Sequence, residues 1–206
     1  MASDLESCIR FLAHELRNTL GATTGWVRVL RQTTAPADVA KAVEAIERNL
    51  RLHGALTEDL ADAAIVAGGG SFSAGSSAEV ESVLEQAVSD VSVLAQRRDV
   101  RIDRPPPETS FRAPIDKDRL RRMIAGLLRA IIDIAPRQSS VSLRALPIET
   151  GIYIRIDGPA SSPSAMEVPT SVRLVAIFAE RHGGSLAAFG RDSSAPTAFS
   201  LRLPNG

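Results

Sequence analysis

From Leu5, apolar or small side chains recur at Ile9, Leu12, Leu16, Thr19, Thr23, Trp26 and Leu30, in alternating steps of four and three. No other feature of the chain restricts its fold so strongly, because a 3.5-residue repeat draws one seam down a helix and that seam must be buried against another helix. The partner follows at once. TTAPAD, residues 33–38, breaks the repeat with an N-cap candidate and a proline suited to a first helical turn. A second series then runs Val39, Val43, Ile46, Leu50 and His53, continued by Leu56 and Leu60. Two long helices joined by a short turn form an antiparallel hairpin. Two seams on one hairpin leave apolar surface over, so the expectation is a homodimer whose paired hairpins make a four-helix bundle.

The texture changes after residue 67. GGGSFSAGSS, residues 68–77, reads as a glycine- and serine-rich linker with a short strand around Phe72. Beyond it, residues 78–206 alternate helix and strand patterns. SAEVESVLEQAVSDVSVLAQRR is a helix, DVRIDRPPP a strand stopped by prolines, and DKDRLRRMIAGLLRAIIDIAP a strongly amphipathic helix. SVSLRAL and GIYIRID alternate as strands. A helix from about Ser171 ends at His182 before Gly183 and Gly184, and SLAAFG and TAFSLRLP close the chain as strands. The predicted fold class is α+β: a helical hairpin over 1–67, then an α/β sandwich whose mixed sheet is covered on one face by helices.

Charge narrows the function. Lys plus Arg equals Asp plus Glu at 24 each, so no overall field draws the chain to nucleic acid or to an anionic membrane. The single Cys8 has no disulfide partner and no second cysteine to share a metal, which fits a reducing cytosol and a buried apolar role. The most apolar run, MIAGLLRAIIDIAP, is interrupted by Arg129 and Asp133 and is too short to span a bilayer, and no signal-peptide layout is visible. A cytoplasmic protein without membrane or nucleic-acid partners is expected.

His14 lies in FLAHELRNTLG, residues 11–21. It is two residues from the seam positions Leu12 and Leu16, about 200° round the helix, so it points outward. An exposed neutral imidazole is a nucleophile towards phosphorus. Glu15 beside it offers a general base, and Asn18, one turn on, can orient a water.

FLAHELRNTL resembles the H box of bacterial sensor histidine kinases, roughly F-x-x-H-E-L-R-N-P-L, at every position except Thr19, where proline is usual. AIERNLRLHGALTEDLADAAIVAGG is similar to the second helix of that family's dimerisation and phosphotransfer hairpin, and the rest resembles its ATP-binding domain in layout. The resemblance implies His14 as phosphoacceptor, Glu15 as its base and Asn18 as a phosphatase-type residue. Losing the proline removes a kink at residue 19. His53 is expected to pack in the bundle, and His182 to serve the end of its helix as a cation near the dipole.

Three phosphate-handling elements of that family are altered. DRLRRMIAGLLRAIIDIAP resembles the N box, in which an asparagine gives an oxygen ligand to Mg²⁺; that position is Ala130, which has no donor. No change of register restores it, since the asparagines are Asn18, Asn49 and Asn205. Where a lysine is frequent, Asp133 would repel phosphate. IDGPASSP resembles the adenine-binding D-x-G-x-G box but spaces Asp157 and Gly158 differently and has Ala160 for the second glycine. No glycine stands between Gly158 and Gly183, and Pro169 and Ser171 occupy the loop where glycine N–H groups would approach phosphate. Asp157 is then a vestigial adenine position, and neither ATP nor a resident metal is expected.

The resemblance therefore implies a histidine phosphotransferase of a phosphorelay. His14 takes a phosphoryl group from a receiver-domain aspartate and passes it to another receiver, which supplies the Mg²⁺ and docks along Arg10, Arg17 and Thr24. The alternatives are an ATP-dependent sensor histidine kinase with an atypical nucleotide site, and a pseudokinase that binds or dephosphorylates a response regulator.

Overall fold

The computed structural model describes residues 2–68, 77–105, 110–159, 170–189 and 198–204. The strand expected near Phe72 and the loop carrying Ala160 and Pro169 lie outside the described residues. The chain divides into two compact units, Met1–Gly70 and Ser71–Gly206.

The first unit is the hairpin. Helix α1 spans Ala2–Gln32 and α2 spans Pro36–Ala67, with Pro36 in the first turn as its fixed φ favours. The N-cap is Ala35, with no side-chain cap; Thr33 Oγ1 instead accepts from Ala35 N at 3.4 Å. On α1 the expected seam faces inward, with Leu12 and Thr19 buried and Leu5, Ile9, Leu16, Thr23, Trp26 and Leu30 half-buried.

On α2 the structure keeps most of the expected series, with Leu56 buried and Val39, Ile46, His53 and Leu60 half-buried, and corrects two of its positions. The residues buried are Ala42, Ala45, Leu56, Asp62, Ala63 and Val66, whereas Val43 and Leu50 of the expected series are 41% and 58% exposed. Small side chains let the two helices approach closely, so alanines take the interface and the larger aliphatics turn outward. Leu20 at 60% and Val27 at 39% do the same on α1. The hairpin therefore carries unburied apolar surface on both of its helices.

The second unit begins with β1 (Ala78–Glu79), which leads into α3 (Val80–Arg98) and pairs antiparallel with β3 (Arg112–Ala113). After α3 come β2 (Val100–Asp103), α4 (Lys117–Ile134), β4 (Ser139–Ile148), β5 (Gly151–Asp157), α5 (Thr170–Arg181), β6 (Ser185–Phe189) and β7 (Ala198–Pro204). The five-stranded sheet is ordered β2-β4-β5-β7-β6, parallel between β2 and β4 and antiparallel elsewhere. Strand alternation sends Val141, Leu143, Ile152, Ile154, Ile156, Phe199, Leu201 and Leu203 to one face, where all are buried.

Helix α4 forms the centre of the covering layer. Asp116 caps it by accepting from Arg119 N at 2.9 Å. Leu120, Met123, Ile124, Leu127, Leu128, Ile131 and Ile132 are buried on it; each such side chain contributes roughly 1.5–3 kcal/mol of transfer free energy. Helix α5 stops where expected: Gly183 adopts φ 71° and Gly184 N donates to Ala179 O at 2.9 Å. His182 closes the same end, its Nδ1–H donating to Phe178 O at 2.8 Å. Among the described residues no helix is long and apolar enough to cross a membrane.

Candidate phosphotransfer site

His14 is exposed on α1, and among the described residues it makes no hydrogen bond or ion pair. Adjacent helical residues diverge by about 100°, so Glu15 does not face the imidazole. Its carboxylate instead accepts from Asn18 Nδ2, three residues on, at 3.0 Å. Arg10 is paired along its own helix with Glu6 at 3.6 Å, and Arg17 is exposed. The arrangement offers an accessible nucleophile, with a carboxylate and a carboxamide held together on the adjoining surface.

Behind this surface Thr19, only 5% exposed, stands where the resemblance calls for proline. α1 runs unbroken through it. Thr19 Oγ1 donates to Leu16 O at 3.0 Å and lies 3.0 Å from Nδ1 of His53 on α2. With its one hydroxyl hydrogen given to the carbonyl, Thr19 accepts from the ring N–H. Both residues belong to the seams legible in the sequence; folding the hairpin about residues 33–35 brings them level, and that was the available signal for the pair.

In the second unit the residues of the altered nucleotide boxes have other occupations. Ala130 is 7% exposed, packed into the core from α4. Asp133 is not a bare charge: it pairs with Arg98 at 3.2 Å. Asp157 projects on the open face of the sheet, opposite the helices, and both carboxylate oxygens accept from Arg155 Nε at 2.9 and 2.8 Å. The neighbour that faces the helical layer is Ile156, fully buried. Ser171 is in the first turn of α5 and not in a loop. The side chains of Ala130 and Ile156 offer neither an oxygen ligand for a metal nor an acceptor for an adenine amino group.

The i and i+2 positions of a strand share a face, so the Arg155–Asp157 pair was legible once β5 was placed. On that same face Tyr153 OH lies 2.8 Å from Ser200 Oγ, and Arg202 lies over the Tyr153 ring at 5.7 Å from its centroid. The Ser200 bond is the main cause holding the phenol below its ordinary pKa; partial burial pushes the other way, and Arg155 and Arg202 add to the lowering.

The fold defined by these two units is that of a histidine kinase catalytic core. The structure is similar to Acinetobacter baumannii histidine kinase AdeS, with a TM-score of 0.60 at 12% identity over 93% of this chain and 97% of that one. It is similar to the cytoplasmic segment of histidine kinase QseC, with 0.56 at 14% identity over 75% and 97%. A solved structure described as a bacterial phosphotransferase aligns over 98% and 97%, with 0.52 at 17% identity. No protein-family profile and no curated protein matches the sequence.

Proposed function

We propose that the chain is a dimeric histidine phosphotransferase of a two-component phosphorelay, acting in the cytoplasm on receiver domains without using ATP itself. The observation that carries this reading is the burial of Ala130, an alanine without a donor atom at the metal-binding position of α4, in a chain whose His14 is exposed. A ring nitrogen of His14 attacks the phosphorus of a receiver's aspartyl phosphate; the N–P bond forms as the P–O bond to the carboxylate breaks. The proton released from the other ring nitrogen passes to solvent at this exposed position, Glu15 being turned from the ring and held by Asn18, and passage to a second receiver reverses these steps. Both phosphoryl donors are high in energy, so alignment of the reacting atoms, with the receiver's own Mg²⁺, supplies most of the catalysis. Exposed Leu20, Val43 and Leu50 support the second hairpin that would complete a four-helix bundle.

The Glu15–Asn18 bond favours one second reading, in which this pair orients a water and the chain dephosphorylates the receiver. A ³²P-phosphorylated receiver separates the two. Label appearing on the chain, and absent in His14→Gln, is the expected result; loss of label to water in both proteins is the result of the second reading. Incubation with labelled ATP and Mg²⁺ should leave the chain unlabelled, and label removed by His14→Gln would overturn the proposal in favour of a kinase.

A further inference from the structure

The sheet of the second unit has a face that neither the core nor the phosphate chemistry uses. On the side away from the helices, the adjacent strands β4, β5 and β7 carry Arg144, Arg155 and Arg202, all exposed. Arg144 and Arg155 are directly opposed in the register. Like charges across a rung disfavour the free sheet. By the same register the acids on this face are Asp103 and Asp157, and each is taken by the arginine two residues before it: Arg101 at 2.8 Å and Arg155 at 2.8 Å. Among the described residues no carboxylate pairs with Arg144 or Arg202. Beside them Leu146, opposite Tyr153, is 53% exposed.

The kind of partner follows from the shape and chemistry. This is the outer surface of a sheet and not a concavity, so it suits a macromolecular surface better than a small anion. Single-stranded nucleic acid needs a run of aromatic faces free for stacking; among the described residues of this face Phe189, on the edge strand, is exposed, whereas the Tyr153 ring is covered by Arg202 and its hydroxyl is tied to Ser200. Two unpaired guanidiniums are too few to hold an anionic membrane. Arginine and tyrosine with an apolar flank are the residues that dominate protein interfaces. We propose that this face binds an acidic protein surface, whose carboxylates pair with Arg144 and Arg202 while an apolar neighbour covers Leu146. The inference is independent of any chemistry at His14.

Tyr153 is the only tyrosine of the chain, so tyrosine-specific ¹³C labelling reports on this face alone. The full chain is titrated at low salt with an octaglutamate peptide as probe. The expected result is a saturable shift of the Tyr153 ring resonance, with the apparent Kd raised about tenfold in R144E/R202E. The milder R144Q/R202Q, which keeps polar side chains of similar reach, should raise it about threefold and guards against a folding defect in the double reversal. Arg181→Glu, an exposed arginine on α5 and off this face, should change it less than twofold. The proposal is overturned if octaglutamate gives no saturable shift, if Arg181→Glu weakens binding as much as the double reversal, or if octathymidylate or phosphatidylglycerol vesicles move the same resonance at lower concentration than the peptide.

Discussion

Thr19 Oγ1 and His53 Nδ1 meet 3.0 Å apart between the two helices of the hairpin, tying the turn after that of His14 to the opposite helix. Thr19 also donates to Leu16 O, and Thr23 repeats the pattern by donating to Thr19 O at 2.8 Å. The stretch that the H-box pattern would kink with proline is thus a continuous helix held from the side.

Replacing Thr19 by valine keeps the shape and removes both bonds. His53 is half-buried and recovers part of its loss from water, so the expected cost is about 1 kcal/mol, or a fall of roughly 4–8 °C in Tm for a unit of this size. Thr19→Pro also deletes a helical N–H and should cost about 3 kcal/mol. Thermal unfolding followed by circular dichroism checks both; a Thr19→Pro chain as stable as the parent would mean that α1 accepts the kink freely.

The outward aliphatics of the hairpin give a second expectation. Leu20 and Leu50 are 60% and 58% exposed, so in a lone chain a charge at either would change stability by no more than about 0.5 kcal/mol. In a four-helix dimer they are covered, and Leu20→Glu with Leu50→Glu should convert dimer to monomer in sedimentation equilibrium. Parent and double variant sedimenting alike as monomers would remove the bundle from the reading.

How much of this was written in the sequence depends on the length scale of each signal. The hairpin and every strand of the five-stranded sheet were legible because period 3.5 and period 2 are local patterns, whereas the two-residue strands β1 and β3 are too short to show a period. The facing choice on α2 was not: Val43 and Leu50 are the more hydrophobic residues, yet Ala42 and Ala45 take the interface, because closeness of approach is a property of the helix pair and not of either helix. Asp133 shows the same limit, since its partner Arg98 comes from another helix and its charge could not be judged alone. At Asp157 the residue type suggested an adenine contact, while strand parity, which sends Ile156 to the helices and Asp157 away from them, decided the geometry. For His14 the helical angle alone gave its exposure, but its chemistry came from the resemblance of the surrounding box.

Restoring the missing asparagine tests whether the second unit is one substitution from a nucleotide site. Ala130 is 7% exposed among core side chains, so Ala130→Asn buries an amide with few partners and should cost roughly 1–3 kcal/mol. It does nothing for Ile156 or for the Asp133–Arg98 pair. The expectation is a lower Tm and no heat of Mg²⁺-ATP binding by calorimetry. Micromolar binding by this single variant would show that the rest of the site is intact.

Tyr153 provides a pH signal with a definite sign. Its bond to Ser200, aided by Arg155 and Arg202, favours the phenolate in the folded state, so the folded pKa lies below the unfolded value of about 10. Below the folded midpoint the phenol is protonated in both states and adds no stability. As pH rises through the window between the folded and unfolded values, ionisation favours the fold; the contribution is complete above the unfolded value and disappears as pH falls back through the folded one. Because this is the only tyrosine, absorbance at 295 nm follows it directly, Trp26 contributing a pH-independent background. The native titration should run below the one in guanidinium, and Ser200→Ala should move it upward by removing the main cause. A midpoint unchanged by that substitution would mean that the hydroxyl contact does not hold in solution.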